Sequence, residues 1–514
     1  MNRTLLSATL AVALAACAPP SYGPGHTAAW ISDVTTLPGP IAPAALAPVP
    51  DIPGGPITPP PVAAPLAAYA DTALHIIATA RADRGAYEKL TQLTDTIGAR
   101  LSGSKQLDEA IKWAVASFQA DGFPVHTEKV MVPHWVRNTA DASITAPIAR
   151  ALQITALGGS VATPKGGITA PVVVVKSFDD LESKKAQLEG AIVLYDVPLP
   201  AYTDENHSGY GDVAPVRRQG PSRAAKYGAV AVLMRSVTAR SLRTPHTGAL
   251  DYDPAQPKIP AVAVSVEDSE LLARLAAKGP VRVKLRMDPK MLPDVASANV
   301  VAELRGREKP DEIVVIAAHI DSWDIGQGAH DDGAGVVTVM QAVAVLKKLG
   351  LTPRRTIRVV LYTNEENGER GGSTYAKTHA AELPQHVLAI EHDSGAFAPT
   401  GFSVKAKGDA QQRVSLRLAQ IALLLAPLGM HESKTGFGGA DVGYMVDGGV
   451  ATAGLMTDFR TYFDVHHSEA DTLDKVDPAI LADDVAAMAA TAYIVADLPD
   501  RIDGPNAPGA APPF

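Results

Sequence analysis

The chain has 514 residues, a single cysteine and a formal charge of −9 at pH 7. One cysteine excludes an intramolecular disulfide, and mild acidity without a basic cluster excludes the electrostatic footprint of a nucleic-acid binder. A hydrophobic share of 46% supports a large buried core, and the length fits two folded domains plus a tether.

Residues 1–16 read as an export signal, with Arg3 as the positive end and Leu5–Leu14 as a short apolar stretch. Leu14-Ala15-Ala16-Cys17 resembles a bacterial lipobox, in which Cys17 becomes the lipidated first residue of the mature chain. The competing reading is an ordinary signal peptide cut nearby. The expectation is therefore an exported lipoprotein of the periplasm or outer membrane, or else a secreted protein, whose only membrane contact is a lipid at Cys17. Residues 17–66 are rich in Pro, Ala and Gly and predict an extended tether.

A first domain segment, 67–133, predicts helices over 67–84 and 87–93 broken at Gly85, and a loop over 95–105. A helix over 104–122 follows, with Leu107, Ile111, Val115 and Phe118 on one face and Gly122 as its cap, and then a strand over 125–133. Residues 134–290 alternate short strands (172–175, 191–195, 230–234, 261–264, 281–285) with helices at 222–227 and 267–278, and carry no metal constellation. Arg217, Arg218 and His246 could reach a cleft, although a solvated surface is the simpler reading.

The segment 291–500 carries the chemistry. A buried parallel strand over 313–317 leads to His319 and Asp321, and Asp331-Asp332 stand at the entrance of a helix over 336–349 that stops at Gly350. A strand over 357–363 leads to Glu365-Glu366, and one over 387–390 leads to Glu391-His392-Asp393. His466-His467 and Asp471 come later. Taken singly, an aspartate pair before a helix is a cap and a glutamate pair is a solvated loop. Together they place His and carboxylate groups at the carboxyl edge of one sheet, where α/β folds bind ligands. Such donors suit zinc, or cobalt or manganese. Two histidines and three carboxylates exceed the needs of one tetrahedral ion. With one carboxylate bridging they would hold two ions about 3.5–4 Å apart. No Gly-x-Ser-x-Gly is present and the cysteine is N-terminal, so no Ser or Cys nucleophile motif competes. Helices are predicted over 414–428 and 478–498, with a Gly-rich loop at Thr435–Asp441 between them, and 501–514 is a Pro-rich tail.

The ordered set His-x-Asp, Asp-Asp-Gly-x-Gly, Glu-Glu, Asp, His-x-x-x-Asp-Thr resembles metallopeptidase family 28, the di-zinc aminopeptidase and glutamate carboxypeptidase group. The phrases at 95–105, 244–248, 319–329 and 463–471 are similar to its carboxypeptidase Q (plasma glutamate carboxypeptidase) branch, and the resemblance runs from about residue 70 to 500. It implies an α/β, three-layer zinc-peptidase fold with a mixed, mostly parallel sheet, interrupted at 134–290 by an inserted protease-associated domain. It implies two zinc ions per chain: His319 and Asp393 on one, Glu366 and His467 on the other, and Asp331 bridging. Glu365 would be the general base, and Asp321 would orient His319 through its carboxylate. His330 is a departure, since family members often have Asn or an apolar residue there. Asp441, with Gly439 in the Gly-rich loop, would either bind a substrate amino terminus or cap the helix that follows.

The implied activity is hydrolysis of dipeptides or short peptides with free termini, in a homodimer. The alternatives are an aminopeptidase on longer peptides, an amidotransferase-like cyclase, and a zinc-free, receptor-like binding protein. The last would lack ligands, yet all five positions and Glu365 are present. Replacing Cys17 by Ser should move the protein from the membrane to the soluble fraction; an unchanged membrane-bound fraction would sink the lipobox reading.

Overall fold

A computed structural model describes residues 64–203 and 208–504. The export signal, the lipobox, the tether up to residue 63 and the tail from residue 505 lie outside the described residues. The described chain builds two eight-stranded sheets. The first contains β1 (Val125–Val136), β2 (Lys290–Leu304), β3 (Lys309–His319), β4 (Arg355–Tyr362), β5 (His386–Glu391), β6 (Pro399–Lys405), β7 (Glu432–Thr435) and β8 (Thr452–Thr457). Their spatial order is β1-β2-β4-β3-β5-β8-β6-β7. The central strands β4, β3, β5 and β8 run parallel. β1 and β2 join antiparallel on one side; on the other, β6 is antiparallel to β8 and parallel to β7.

The continuous apolar run of β3 is explained by burial on both faces. Val314, Ile316 and Ala318 pack with residues of the helices Lys105–Ala120, Ala334–Lys348 and Pro478–Asp497. Ile313, Val315 and Ala317 point the other way, onto Tyr375 of the helix Arg370–Thr378 and onto Val442 and Met445. Helices thus cover both sides of a mixed, mostly parallel sheet, as expected. The helix Pro478–Asp497 is long and apolar enough to cross a membrane, but it is buried in this core.

The second sheet lies, in the chain, entirely between β1 and β2. Its order is Arg150–Leu152, Ala140–Ala146, Arg282–Met287, Ile168–Val175, Ile192–Tyr195, Ala231–Arg235, Ala261–Val264 and Ile154–Ala156. Leu194, Leu233, Val262 and Leu285 pack on one face, and Val193, Tyr195, Val232 and Ala263 on the other. Trp323, from the loop after β3, joins the former cluster and Tyr462 and Phe463 join the latter. The two sheets are knitted into one unit.

Several elements differ from expectation for local reasons. The helix placed at 222–227 starts much earlier, at Tyr210, because Pro215 and Pro221 inside it and Gly211 and Gly220 mask its periodicity. The short strands at 140–146, 150–152 and 154–156 are too brief or too polar to stand out. Gly85 begins a helix rather than breaking one: the Asp83 carboxylate accepts the Gly85 N–H at 2.8 Å. Ser104 caps the helix Lys105–Ala120 by accepting the Leu107 N–H at 3.1 Å.

Ile316 is fully buried in the centre of the sheet. Ile316→Ala should cost about 2–5 kcal/mol through lost burial and a residual cavity, measured by denaturant unfolding.

Candidate metal centre

The site is assembled where β3, β4 and β5 end side by side. β3 stops at His319. The loop that follows is held by Arg100, whose buried guanidinium donates to the carbonyls of Ile320 (2.6 Å), Gln327 (2.9 Å) and Gly328 (3.0 Å). The loop delivers Asp331 and Asp332 to the start of the helix Ala334–Lys348. Asp332 spends both carboxylate oxygens on backbone: Oδ1 accepts the Gly335 N–H and Oδ2 the His319 N–H, each at 3.1 Å. Gly335 is required there, since a Cβ would lie 2.1 Å from the His392 carbonyl. After β4 the chain turns through Asn364 in the left-handed region (φ 69°), a conformation that Asn tolerates, and presents Glu365 and Glu366.

Asp331 lies at the centre. Its Oδ1 is 3.3 Å from His319 Nε2, which is 3.5 Å from Asp393 Oδ1. Its Oδ2 is 3.3 Å from His467 Nε2, which is 3.1 Å from Glu366 Oε2. The carboxylate therefore faces two donor groups, one with each oxygen. His319 Nε2 and Asp331 Oδ2 are buried and hold no hydrogen bond among the described residues. Buried polar atoms are normally paired, so orphaned atoms converging with further carboxylates fit a pair of cations. Two clusters also satisfy ligand spacing, His319/Asp332/Asp393 and Asp331/His466/His467. Asp332 is committed to backbone, as above. His466 Nε2 is farther from Asp331 Oδ2, at 3.6 Å, and its ring stacks on His467 at 3.6 Å between centroids.

Charge balance points the same way. Burial raises the Glu366 and Glu365 carboxyls well above their usual range. Asp331 adds to this at Glu366, and Asp393, Asp331 and Asp321 add to it at Glu365. Burial opposes protonation of His319, but Asp393, Asp331 and Asp332 outweigh it and hold the imidazole well above its ordinary value. Burial and His466 push His467 well down. Such an excess of buried negative charge is what a bound divalent cation relieves.

The expected residues take definite places. His319, Asp331, Glu366, Asp393 and His467 come together. Asp321 differs in detail: its backbone carbonyl, not its carboxylate, is the partner of His319 Nδ1, at 3.1 Å against 3.8 Å. The Asp321 carboxylate instead accepts the Glu365 N–H at 3.1 Å. His330 turns away from the bridge, stacks on Phe397 and accepts the Ala396 N–H on Nδ1 at 3.2 Å, and burial lowers it to about 4. Asp441 caps a different helix from the one expected. It is fully buried, and its Oδ1 accepts the N–H of Gly372 in the helix Arg370–Thr378 at 2.8 Å. It does not line the cavity of about 520 Å³ beside the centre, whereas Gly439 does, with Phe437, Leu455, Met456, Phe459, Glu391 and Asp393.

Arg217 and His246 are not solvated surface; both are buried, His246 against the His466 carbonyl and Arg217 against the Thr247 carbonyl. Arg218 is surface, paired with Asp251 at 2.7 Å. Asp471 was singled out in the sequence without a role, and Arg100 was missed. Asp471 accepts the N–H groups of His330 (2.7 Å) and Asp331 (3.1 Å), and Arg100 anchors the loop as described. The only signal for Arg100 was membership of the phrase at 95–105.

The pattern of peptidase family M28 matches residues 299–492. Carboxypeptidase Q of Mus musculus is 40% identical over 442 residues, 85% of this chain and 92% of that protein. The Homo sapiens protein of the same name is 38% identical, over 85% and 91%. The chain belongs to peptidase family M28. The crystal structure of an M28 peptidase precursor from Shewanella amazonensis superimposes with a TM-score of 0.80 at 37% identity, covering 87% of this chain and 100% of that one. An aminopeptidase from Aneurinibacillus shares the fold at 22% identity and a TM-score of 0.59, over 83% and 97%. In this M28 peptidase the matched span holds all five candidate ligands and Glu365, while Arg100, Arg217 and His246 lie outside it.

Arg100→Lys keeps a charge but cannot reach three carbonyls with one compact head group. It should destabilise this M28 peptidase by about 2–4 kcal/mol, read by denaturant unfolding; wild-type stability would remove the anchoring role.

Proposed function

We propose that the protein is a di-zinc exopeptidase of the carboxypeptidase Q type, acting on dipeptides or short peptides with free termini. The single observation that carries this is the Asp331 carboxylate, with one oxygen toward His319 and Asp393 and the other toward His467 and Glu366. His319, Asp393 and Asp331 Oδ1 would hold one zinc; Glu366, His467 and Asp331 Oδ2 would hold the other. Bound zinc supplies Lewis acidity and lowers the pKa of an attacking water.

The chain's own residues supply the rest. Glu365 takes the proton of that water and returns it to the leaving amine. Burial and the surrounding carboxylates raise its carboxyl, and bound cations would oppose that rise, leaving it ionised to accept the proton and basic enough to hold it between two steps. Asp321 fixes its backbone through the 3.1 Å bond to its N–H. The cavity reaches the centre at Asp393, and its apolar wall of Phe437, Leu455, Met456 and Phe459 suits an apolar side chain. The sequence of residues 1–17 supports export as a lipoprotein. The place of the second sheet in the chain supports its being a protease-associated insertion, and the resemblance supports a homodimer.

Purified protein should contain about two zinc ions per chain and cleave a dipeptide panel in a chelator-sensitive manner. Glu365→Gln should keep the metal and lose roughly 10²–10⁴-fold in kcat. Metal-free protein that stays inactive after zinc is restored would overturn the reading.

A further inference from the structure

We propose that the turn Pro245–Gly248 of the second sheet positions the His466–His467 segment, so that retention of the ion on the Glu366/His467 side depends on an element outside the catalytic sheet. The proposal rests on the reading of His467 as a metal ligand.

His467 has φ 60°, in the left-handed region that a residue with a side chain seldom occupies. Such a conformation is strained and persists where its surroundings over-determine it. The surroundings here come from the second sheet. The Thr247 N–H donates to the His467 carbonyl at 2.8 Å. His467 Nδ1 lies 3.3 Å from the Thr247 carbonyl, and His246 Nδ1 lies 2.7 Å from the His466 carbonyl. Three bonds thus tie two consecutive residues of one segment to two consecutive residues of the other.

The turn is itself fixed by its own sheet. The His246 N–H donates to Ser236 Oγ at 3.0 Å, and the Thr247 hydroxyl donates to the Ala156 carbonyl at 2.9 Å. Arg137, paired with Asp324, donates to the same hydroxyl at 3.3 Å. Arg217 Nη1 reaches the Thr247 carbonyl at 3.4 Å, and a Cβ on Gly248 would lie 2.2 Å from Arg217 Cζ, so the turn seats only with glycine there.

The chemical consequence is a tautomer. With its Nδ1 proton given to Thr247, His467 keeps the Nε2 lone pair aimed between Asp331 and Glu366, and a ligand histidine is oriented by such a carbonyl. His319 makes the equivalent bond at the end of its own strand, donating its Nδ1 proton to the Asp321 carbonyl. The two sides of the centre are therefore supported by different sheets.

The test uses full-length protein loaded with zinc and titrated with a chelator, reading zinc per chain, with the visible spectrum of the cobalt-substituted protein as a second readout. His246→Ala should lower affinity for one of the two ions by about 10–100-fold and change the cobalt spectrum, with the other ion retained. His246→Asn, which keeps an N–H donor at the Nδ1 position, should restore most of the loss. Folded His246→Ala that keeps both ions at wild-type affinity overturns the proposal. Should His246→Ala not fold, His246→Phe, which keeps a ring of similar size and removes the Nδ1 donor, is read in the same way: weakened retention of one ion supports the proposal and unchanged retention of both overturns it. His467→Ala is the reference. If it retains two ions, the ligand reading itself fails; if it loses one while His246→Ala loses none, only the positioning role fails.

Discussion

A carboxylate that must serve two cations cannot be allowed to rotate, and much of the structure answers that requirement. Asp331 offers Oδ1 to one donor group and Oδ2 to the other. Its backbone N–H is held by Asp471, the preceding loop by Arg100, and the following residue, Asp332, ties the helix start to the end of β3. None of these partners offers a ligand atom in the proposed centre. Each removes a freedom that would otherwise loosen the distances on both sides at once.

The same requirement explains the crowding of uncompensated acids. Six carboxylates, from Asp321, Asp331, Asp332, Glu365, Glu366 and Asp393, gather around few positive groups. Unrelieved, that density would protonate several of them and disfavour folding. The geometry is stable as a centre for cations and awkward as anything else, which is why the arrangement argues for chemistry rather than for packing.

Much of this was legible in the sequence because ligands at strand ends inherit the strand's pattern. The run Ile313–Ala318 announces a strand buried on both faces, and His319 and Asp321 follow at its end. The strands at 313–317, 357–363 and 387–390 and the helices at 336–349 and 478–498 followed from such runs; the choice of the five candidate ligands among neighbouring acids and histidines came from the family resemblance, and the strands at 290–304, 399–405, 432–435 and 452–457 carried no pattern strong enough to read. What stayed hidden were contacts between side chain and backbone at long sequence separation. Asp471 holding Asp331, Arg100 holding the 320–328 loop and His246 holding His466 leave no periodicity to read. Asp321 shows a subtler limit: the residue was identified, but whether its carbonyl or its carboxylate meets His319 depends on the local turn of the chain. The helix Tyr210–Ala225 was obscured by its own prolines and glycines.

The position of the second sheet between β1 and β2 also sets an order of assembly. β1 has its antiparallel partner only after the whole second sheet has been made, since Trp135 pairs with Met291 across that insertion. The strands of the second sheet are all supplied by the intervening stretch, so it can close on itself first, bringing the ends of β1 and β2 together and shortening the loop that their pairing must close. The ligands follow, with His467 last along the chain. During synthesis, the turn that receives His467 would already be in place when that residue leaves the ribosome.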